Sequence, residues 1–372
     1  MPRSERFDKK DELPTWSLLA RPITERLLTL FKRPVHPHPK PATPAPMNWP
    51  ALITYLAQHG HTLTQGERLS GGLANQNYRV TLDGAPAVLR RPPDGPLPPG
   101  AHDMAREYRL LTALPPVLPF VPRGLYLCTD ITVIGVPFQI MQFRAGRIIG
   151  ATLPDDLAGQ GAALTETMLT TLAAIHAVDP DAVGLGDLGK PAGFLARATE
   201  GWIRRGLAAD GPPAIARLGT WLRAHAVPDG PVALLHNDFK LDNMILDDTL
   251  APNAVVDWDQ GTRGDALFDL ATTLSYWTEA DDHPAMAALH QMPTDAPGFL
   301  TRAEAATRYA ALTGRDVSDL RFYRVLGQLK LGVIFLQLHA RHGATDPRYA
   351  GFGTLAAGLL DVAELIAAGE MF

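Results

Sequence analysis

Three short apolar runs alternate with polar residues between positions 232 and 269. The runs are Val232–Leu235, Met244–Leu246 and Ala254–Val256. Apolar runs of this length that contain β-branched residues and are bounded by polar ones predict strands. Polar residues beside such runs lie at strand ends, where loops on a rigid scaffold often carry chemistry. The pattern therefore directs the search for a functional site to this stretch.

Strand-like runs dominate the chain before residue 143, and helical patterns dominate after Ala145, so the sequence predicts an α+β fold. The earlier strands are predicted at Ala85–Arg91, Gly124–Cys128 and Pro137–Phe143. Apolar periodicity predicts helices at Pro50–His59, Asp103–Leu114, Thr165–Ala177, Gly193–Leu207, Pro213–Ala224, Ala266–Trp277, Arg302–Leu312, Asp319–His342 and Leu355–Ala368. Thr301 and Glu304 have capping-box spacing, and Ser318 is expected to cap the long helix that follows it.

Composition limits the kinds of binding partner and the cellular compartment that we expect for this chain. The formal net charge is −5 over 372 residues, so no bulk basic field favours nucleic acid. The apolar run Leu320–Leu338 contains Arg, Lys and Gln and is expected to be a buried helix rather than a membrane span. The single cysteine, Cys128, excludes an internal disulfide and favours a reducing, cytoplasmic location. The oligomeric state stays open.

Three segments are expected along the chain. Residues 1–48 contain the Pro-rich run Val35–Pro46, which predicts that they form a disordered extension. A membrane-surface or docking helix near Trp16–Phe31 is an alternative, as is a true start at Met47. Residues 49–143 are predicted to form an N-terminal nucleotide-binding lobe, and residues 144–372 a catalytic and substrate lobe.

Polar residues with kinase-like spacing occupy the predicted strand ends. Asp238 is followed five residues later by Asn243 and fourteen beyond that by Asp257. Hard oxygen donors of this kind suit Mg²⁺. In protein kinases an Asp and an Asn at this spacing serve as catalytic base and metal ligand, and a later Asp completes the metal site. Lys240 stands where kinase loops often carry a lysine.

The stretch from His236 to Asp257 resembles the loop of the aminoglycoside phosphotransferase and choline kinase superfamily, usually H-G-D-x-x-x-x-N before a strand ending in I-D-[FW]. The branch that stands alone or is fused to acyl-CoA dehydrogenases is the most similar. The resemblance implies a bilobal, protein-kinase-like fold with a five-stranded antiparallel sheet in the small lobe. It also implies that His176 is structural. We expect Asp265 to cap a helix and Asp269 to anchor the loop.

The same resemblance extends through the small lobe. The run from Leu69 to Tyr78 is similar to the family's glycine loop, so Gly71, Gly72 and Asn75 are expected to approach phosphate, with Ala74 where a serine is common. Arg90 stands at the position of the usual strand lysine, and Glu107 matches its expected helix partner.

Further roles follow from the resemblance. Backbone groups around Gln142 and Phe143 should bind adenine, since this segment leads into the hinge. Asp238 should deprotonate a small-molecule hydroxyl, and Lys240 should lie near the phosphoryl group transferred from ATP. Asn243 and Asp257 should hold Mg²⁺, while Asp259 either reaches a second metal or supports the first from outside its ligand set.

Three other interpretations are open. A protein kinase is disfavoured because the chain lacks H-R-D, D-F-G and A-P-E. A catalytically weak ATP-binding scaffold is suggested by Arg90 and Ala74. An aminoglycoside or choline kinase would need converging acids or an aromatic cage, which the sequence does not establish. The branch resemblance hints at a hydroxyacyl acceptor.

Overall fold

The computed structural model describes residues 47–69, 75–93 and 102–372. The predicted extension up to residue 46 and the loop glycines Gly71 and Gly72 lie outside the described residues, as does Ala74. The first helix, α1, spans Trp49–Gln58, and the side chain of Asn48 accepts a hydrogen bond from the amide of Ala51 at its start.

A five-stranded antiparallel sheet forms the first part of the described fold, as predicted. Its strands are β1 Leu63–Arg68, β2 Gln76–Leu82, β3 Ala85–Arg91, β4 Gly124–Cys128 and β5 Phe138–Gln142, in the order β1-β2-β3-β5-β4. Leu89 of β3 and Ile140 of β5 pack with Leu52 and Leu56 of α1 in one apolar core. Helix α2, Met104–Ala113, is capped by Asp103 and contacts β4 and β5. Arg90 and Glu107 are thereby brought to neighbouring elements.

The remainder is mainly helical, which confirms the predicted α+β division. The helices are α3 Gly161–His176, α4 Phe194–Ala208, α5 Ala214–Ala224, α6 Ala266–Tyr276, α7 Pro284–Leu289, α8 Arg302–Thr313, α9 Leu320–His342 and α10 Phe352–Ala368. The predicted capping box at Thr301 is present. The predicted Ser318 cap is wrong, because Asp319 is the N-cap of α9 and the amide of Ser318 donates to Asp316 instead. Helix α9 is buried along most of its length, as expected.

One stretch of the described residues, Pro347–Ala368, is long and apolar enough to cross a bilayer by length and composition alone. Core helices pass the same test, so the finding is weak. Here Leu355, Leu359 and Ile366 of α10 are buried in the main apolar core.

Two small antiparallel pairs carry the stretch between residues 232 and 265. Strand β6, Val232–Leu235, pairs with β9, Thr262–Asp265, and β7, Met244–Leu246, pairs with β8, Pro252–Val255. Sequence patterns missed β9, whose residues T-R-G-D show no apolar alternation, and they also missed the short helix α7. Asp265 accepts a hydrogen bond from the amide of Leu267 and caps α6, as predicted.

Candidate active site

The turn after β6, here called the catalytic turn (His236–Asp238), is fixed through its backbone. Asn237 has φ +65°, a left-handed conformation that glycine and asparagine adopt most readily. The amides of His236 and Asn237 donate to the two carboxylate oxygens of Asp269, at 2.6 and 2.9 Å. His176 donates to the same carboxylate through Nε2, at 3.2 Å, and Tyr309 donates to its Nδ1. Asp269 therefore anchors the loop and His176 supports it, as expected.

One face of α6 presents further groups to the catalytic turn and to Phe239, the residue after it. Thr273 Oγ1 donates to the carbonyl of Phe239 at 2.9 Å, and Tyr276 Oη donates to Asp238 Oδ1 at 2.8 Å. Together with Asp269 these residues are four and three positions apart, the spacing that aligns side chains on one helix face. The helix thus holds both the turn and the carboxylate it carries.

Asp238 is held at both carboxylate oxygens. Besides the bond from Tyr276, Asn243 Nδ2 lies 3.3 Å from Asp238 Oδ2 and donates to its backbone carbonyl at 2.8 Å. Burial raises the pKa of Asp238, and the nearby cation of Lys240 opposes that rise. These contacts orient the group that a proton acceptor would need.

Lys240 lies beside Asp238 in an acidic and aromatic setting. Its Nζ contacts Asp242 Oδ2 at 3.0 Å and Gln291 Oε1 at 3.4 Å, and it lies 5.3 Å from the centre of the Tyr276 ring. Burial alone would lower the pKa of Lys240, but Asp238 and Asp242 outweigh it and the net shift is upward. Lys240 therefore keeps its positive charge next to the catalytic turn.

The β7–β8 pair brings Asn243 and Asp257 to one end of a hairpin, since Met244 pairs with Val255 and the amide of Val256 donates to the carbonyl of Asn243. Asp257 has φ +68°. His236 Nε2 donates to the carbonyl of Val256 at 2.9 Å, which ties the catalytic turn to this end. Within the described residues, no hydrogen bond reaches the amide oxygen of Asn243 or the second carboxylate oxygen of Asp257.

Those two free oxygens fit a Mg²⁺ ion, which takes few protein oxygens and completes its shell with water and phosphate. The described residues contain no group of three or more His, Cys, Asp or Glu side chains that would form a ready metal cage. A site of one amide and one carboxylate is compatible with a metal that arrives with a phosphate ligand.

Arg90 is the centre of an acidic cluster, defined here as Arg90, Glu107, Asp257 and Asp259. Its Nε lies 2.9 Å from Glu107 Oε2, Nη2 pairs with Asp257, and Asp259 is 3.9 Å away. The side chain of Arg90 is only 7% exposed. Burial alone would lower the pKa of Arg90, but the three carboxylates outweigh it and the net shift is upward.

The acids of this cluster differ in charge state. Burial raises the pKa of Glu107 to about 7, although Arg90 opposes it. Burial and the charge of Asp257 raise the pKa of Asp259 to about 8. Burial would also raise the pKa of Asp257, but the charge of Arg90 and its hydrogen bond outweigh burial, so the pKa of Asp257 is lowered. Asp257 is therefore the carboxylate that stays ionised, which suits a metal ligand.

The side chain of Asn75 contacts the acidic cluster, and the side chains of Gln142 and Phe143 have other partners. Asn75 Nδ2 is 3.4 Å from Asp259 Oδ2, and His102 Nδ1 is 2.8 Å from Asn75 Oδ1. Gln142 Oε1 accepts from the amide of Arg123, and the Arg79 guanidinium lies 4.6 Å from the Phe143 ring centre. The expected adenine contacts are to backbone groups, which these side-chain contacts do not address.

Sequence reasoning missed three residues that support the site. Gln139 Nε2 donates to Glu107 Oε2 at 2.5 Å, and Arg106 Nη2 donates to the carbonyl of Asp259 at 2.6 Å. Lys330 Nζ donates to the carbonyl of Asn237 at 2.5 Å. A polar residue within an apolar element, such as Gln139 in β5 or Lys330 in α9, indicates a buried polar contact. The sequence does not indicate which residue the partner is.

Residues 65–312 match the family model described as the phosphotransferase enzyme family (APH). The chain belongs to this family. It is accordingly a small-molecule phosphotransferase.

Two curated relatives are similar over part of their length. Acyl-CoA dehydrogenase family member 11 of Gallus gallus is 33% identical over 284 residues, and family member 10 of Mus musculus is 30% identical over 275 residues. Each match covers 73% of the phosphotransferase, but only 36% and 26% of the respective relatives. The chain thus spans about a third or less of their length.

Solved structures show the fold. A candidate aminoglycoside phosphotransferase from Ralstonia eutropha superposes with a TM-score of 0.72 at 26% identity and covers 87% of this chain and 99% of its own. An ethanolamine kinase of Plasmodium vivax superposes with a TM-score of 0.56 at 11% identity, and the match covers 98% of this chain and 99% of the ethanolamine kinase. The phosphotransferase therefore has the predicted bilobal, protein-kinase-like fold.

Proposed function

We propose that this phosphotransferase moves the γ-phosphoryl group of ATP to a hydroxyl group of a small molecule, with Mg²⁺. The observation that carries the proposal is the carboxylate of Asp238, which Tyr276 and Asn243 orient beside Lys240. An oriented carboxylate next to a retained cation suits proton abstraction from a hydroxyl and attack on a phosphoryl group.

In the proposed reaction Asp238 accepts the proton of the acceptor hydroxyl. The hydroxyl oxygen forms a bond to the γ-phosphorus while the bond from that phosphorus to the β–γ bridging oxygen breaks, and ADP leaves. Lys240 faces the transferred group and offsets its negative charge. The proton on Asp238 then passes to solvent, so that the site is reset.

Asn243 and Asp257 would hold Mg²⁺ through the two oxygens that carry no hydrogen bond within the described residues. The ion would supply positive charge to the phosphate oxygens. Arg90 is assigned to the α- and β-phosphates, and Glu107 Oε2 lies 2.9 Å from its Nε. Asn75, Gly71 and Gly72 are assigned to the phosphates. The backbone near Gln142 and Phe143 is assigned to adenine. Asp259 is assigned either to a second metal ion or to support of the first.

Contacts around the proposed acceptor side disfavour two acceptor classes. Of the acids that follow Tyr276, Glu279 and Asp282 are both paired with Arg302. That leaves the exposed Asp281 as the single acid of residues 277–283 for a polycationic aminoglycoside, which calls for several. Trp277 is fully buried and donates to the carbonyl of Leu300. With Tyr276 bound to Asp238, neither ring is free to cage a choline cation.

A hydroxyacyl compound is the acceptor class we propose. The support is the similarity to two proteins named as acyl-CoA dehydrogenase family members. We also propose a cytoplasmic location, on the ground that the single cysteine, Cys128, favours a reducing compartment.

A panel assay tests the proposal. The purified chain is incubated with ATP and Mg²⁺ and with hydroxyacyl thioesters, free hydroxy acids, aminoglycosides, choline or ethanolamine, while ADP and phosphorylated product are measured. We expect product from the hydroxyacyl class. Asp238→Asn should lose about 10²–10⁴-fold in turnover and retain ATP affinity, whereas Asp248→Asn, on an exposed turn, should match the wild type.

The outcomes separate the alternatives. ATP binding without transfer to any hydroxyl compound would favour a scaffold. Product from choline or from an aminoglycoside would contradict the acceptor class but retain the reaction type. Near wild-type turnover by Asp238→Asn would remove Asp238 from its assigned role.

A further inference from the structure

Lys330 is a buried cation in the middle of the apolar helix α9. Its neighbours in sequence, Leu329 and Leu331, are buried core residues, and Lys330 itself is 3% exposed. Placing an ammonium group in such surroundings is costly unless polar partners compensate it. An apolar side chain of similar length would fill this space without that cost, so packing alone does not account for a lysine.

The partners of Lys330 point to the catalytic turn. Its Nζ donates to the carbonyl oxygen of Asn237 at 2.5 Å, lies 3.4 Å from Thr272 Oγ1 and lies 5.3 Å from the centre of the Phe268 ring. Within the described residues, no carboxylate lies at ion-pair distance from it. Its strongest contact is therefore with the peptide group that joins Asn237 to Asp238.

Helices α6 and α9 thus hold the catalytic turn together, one through its amides and the other through a carbonyl. Asp269 of α6 accepts the amides of His236 and Asn237, while Lys330 of α9 donates to the carbonyl of Asn237. The peptide group whose carbonyl Lys330 holds leads directly to Asp238. Rotation of this peptide group would therefore redirect the side chain of Asp238. Asn237 is in the left-handed region, a backbone conformation that few residues adopt.

We infer that Lys330 is a positioning residue, whose ammonium group holds the Asn237 carbonyl and thereby fixes the direction of the Asp238 carboxylate. The inference rests on the proposed function only for its catalytic consequence; the contact itself stands on geometry. The fields of Asp238 and Asp269 favour the charged form of Lys330, although burial lowers its pKa to about 8.

Kinetics of matched variants test this role. Lys330→Met removes the donor and keeps the length of the side chain, and loss of a charge-assisted contact is expected to lower kcat by about tenfold to a hundredfold. The KM and the binding affinity for ATP should stay unchanged, because Lys330 touches no predicted nucleotide residue. Lys330→Arg retains a donor and should recover part of kcat.

Arg324→Met is the matched control. Arg324 is a buried cation on the same helix, but it donates to the carbonyl of Phe372 and contacts Ser275 rather than the catalytic turn. We expect this variant to lower the melting temperature with little change in kcat. Equal losses of kcat in Arg324→Met and Lys330→Met would reduce Lys330 to a general stability role and overturn the inference.

Hydrogen–deuterium exchange gives a readout that needs no acceptor. Peptides covering residues 234–244 should exchange faster in Lys330→Met than in the wild type, and not in Arg324→Met. If Lys330→Met fails to fold, Lys330→Gln, which removes the charge and shortens the side chain by one atom, is measured in its place. Unchanged exchange and unchanged kcat would overturn the inference, whereas a wild type that transfers no phosphate would contradict the proposed function alone.

Discussion

The two halves of the candidate site differ in how completely their polar groups are paired. Asp269 and Lys330 bind backbone amides and a carbonyl of the catalytic turn, and Thr273 binds the carbonyl of Phe239, the residue after it. In the acidic cluster, one guanidinium faces three carboxylates, and Asp257 has an oxygen with no hydrogen bond within the described residues. In the first half these backbone groups are paired without ligands, whereas the second half places three carboxyl groups around one guanidinium.

This difference separates two physical tasks. A group that accepts a proton must be preorganised, because reorientation during reaction adds to the barrier. A site that binds a cation and a polyphosphate must instead keep donor oxygens and charge available for them. The acidic cluster meets the second need, with Arg90 as the resident cation that already neutralises part of its charge.

Replacing Asp269 should produce the largest effect on the paired half. In Asp269→Asn one acceptor oxygen becomes an NH₂ group that faces backbone N–H donors, and each buried donor left without a partner costs about 1–3 kcal/mol. We expect a lower free energy of unfolding, measured by denaturant titration, and a lower kcat because the catalytic turn is released.

Asp265→Asn is its control. Asp265 is also buried and also accepts three hydrogen bonds, from the amides of Gly230 and Leu267 and from Tyr323, but none comes from the catalytic turn. We expect it to lose stability while kcat per folded molecule is kept. Identical kcat in both variants would show that the anchor at Asp269 does not matter for chemistry.

The pH dependence of this anchor has a defined sign. Burial alone would raise the pKa of Asp269, but hydrogen bonds and charge interactions with His176 and His236 outweigh it and lower it. Its stabilisation is therefore fully present above the unfolded value of about 3.9 and is lost as pH falls through the lower folded-state pKa. Denaturant titrations of the wild type and Asp269→Asn should converge only in that acidic range.

Sequence reasoning predicted the local elements better than the long-range contacts. Strand β3 was predicted to the residue, because its short run of apolar residues is a local signal. The ion pair of Arg90 with Glu107 followed from the family order of motifs. The contact of Lys330 with Asn237 joins residues 93 apart in sequence, and strand β9 forms only through pairing with β6. Neither leaves a local pattern.

Arg90→Ala should give the next largest effect, now in the unbalanced half. Removing the guanidinium would take away the proposed phosphate contact and would leave Glu107, Asp257 and Asp259 without their cation. A charge-assisted contact contributes about 1.5–3 kcal/mol, or about tenfold to a hundredfold in affinity. We therefore expect the KM for ATP to rise by that factor while the KM for the acceptor changes little.

Arg90→Lys and Arg68→Ala complete this series. A lysine has one point charge in place of the fork that reaches both Glu107 and Asp257, so Arg90→Lys should restore binding only in part. Arg68 is exposed on β1, and its removal should be neutral. If Arg90→Ala left both the KM for ATP and kcat unchanged, Arg90 would have no role in phosphate binding.

Asn237 joins the two halves, and its replacement by glycine should have the smallest effect. Its carbonyl accepts from Lys330, while its side chain donates to the carbonyl of Gln260, next to Asp259. Glycine adopts φ +65° without strain, so Asn237→Gly loses only one partly exposed hydrogen bond, worth about 0.5–1.5 kcal/mol.

Valine is β-branched and strained at this φ, by about 1–3 kcal/mol, so Asn237→Val should lower both the melting temperature and kcat. Asp210→Val imposes the same kind of strain at φ +53°, on an exposed residue after α4, and should lower the melting temperature alone. A loss of kcat in Asn237→Gly as large as in Asn237→Val would mean that the side-chain bond to Gln260, and not the backbone conformation, couples the catalytic turn to the acidic cluster.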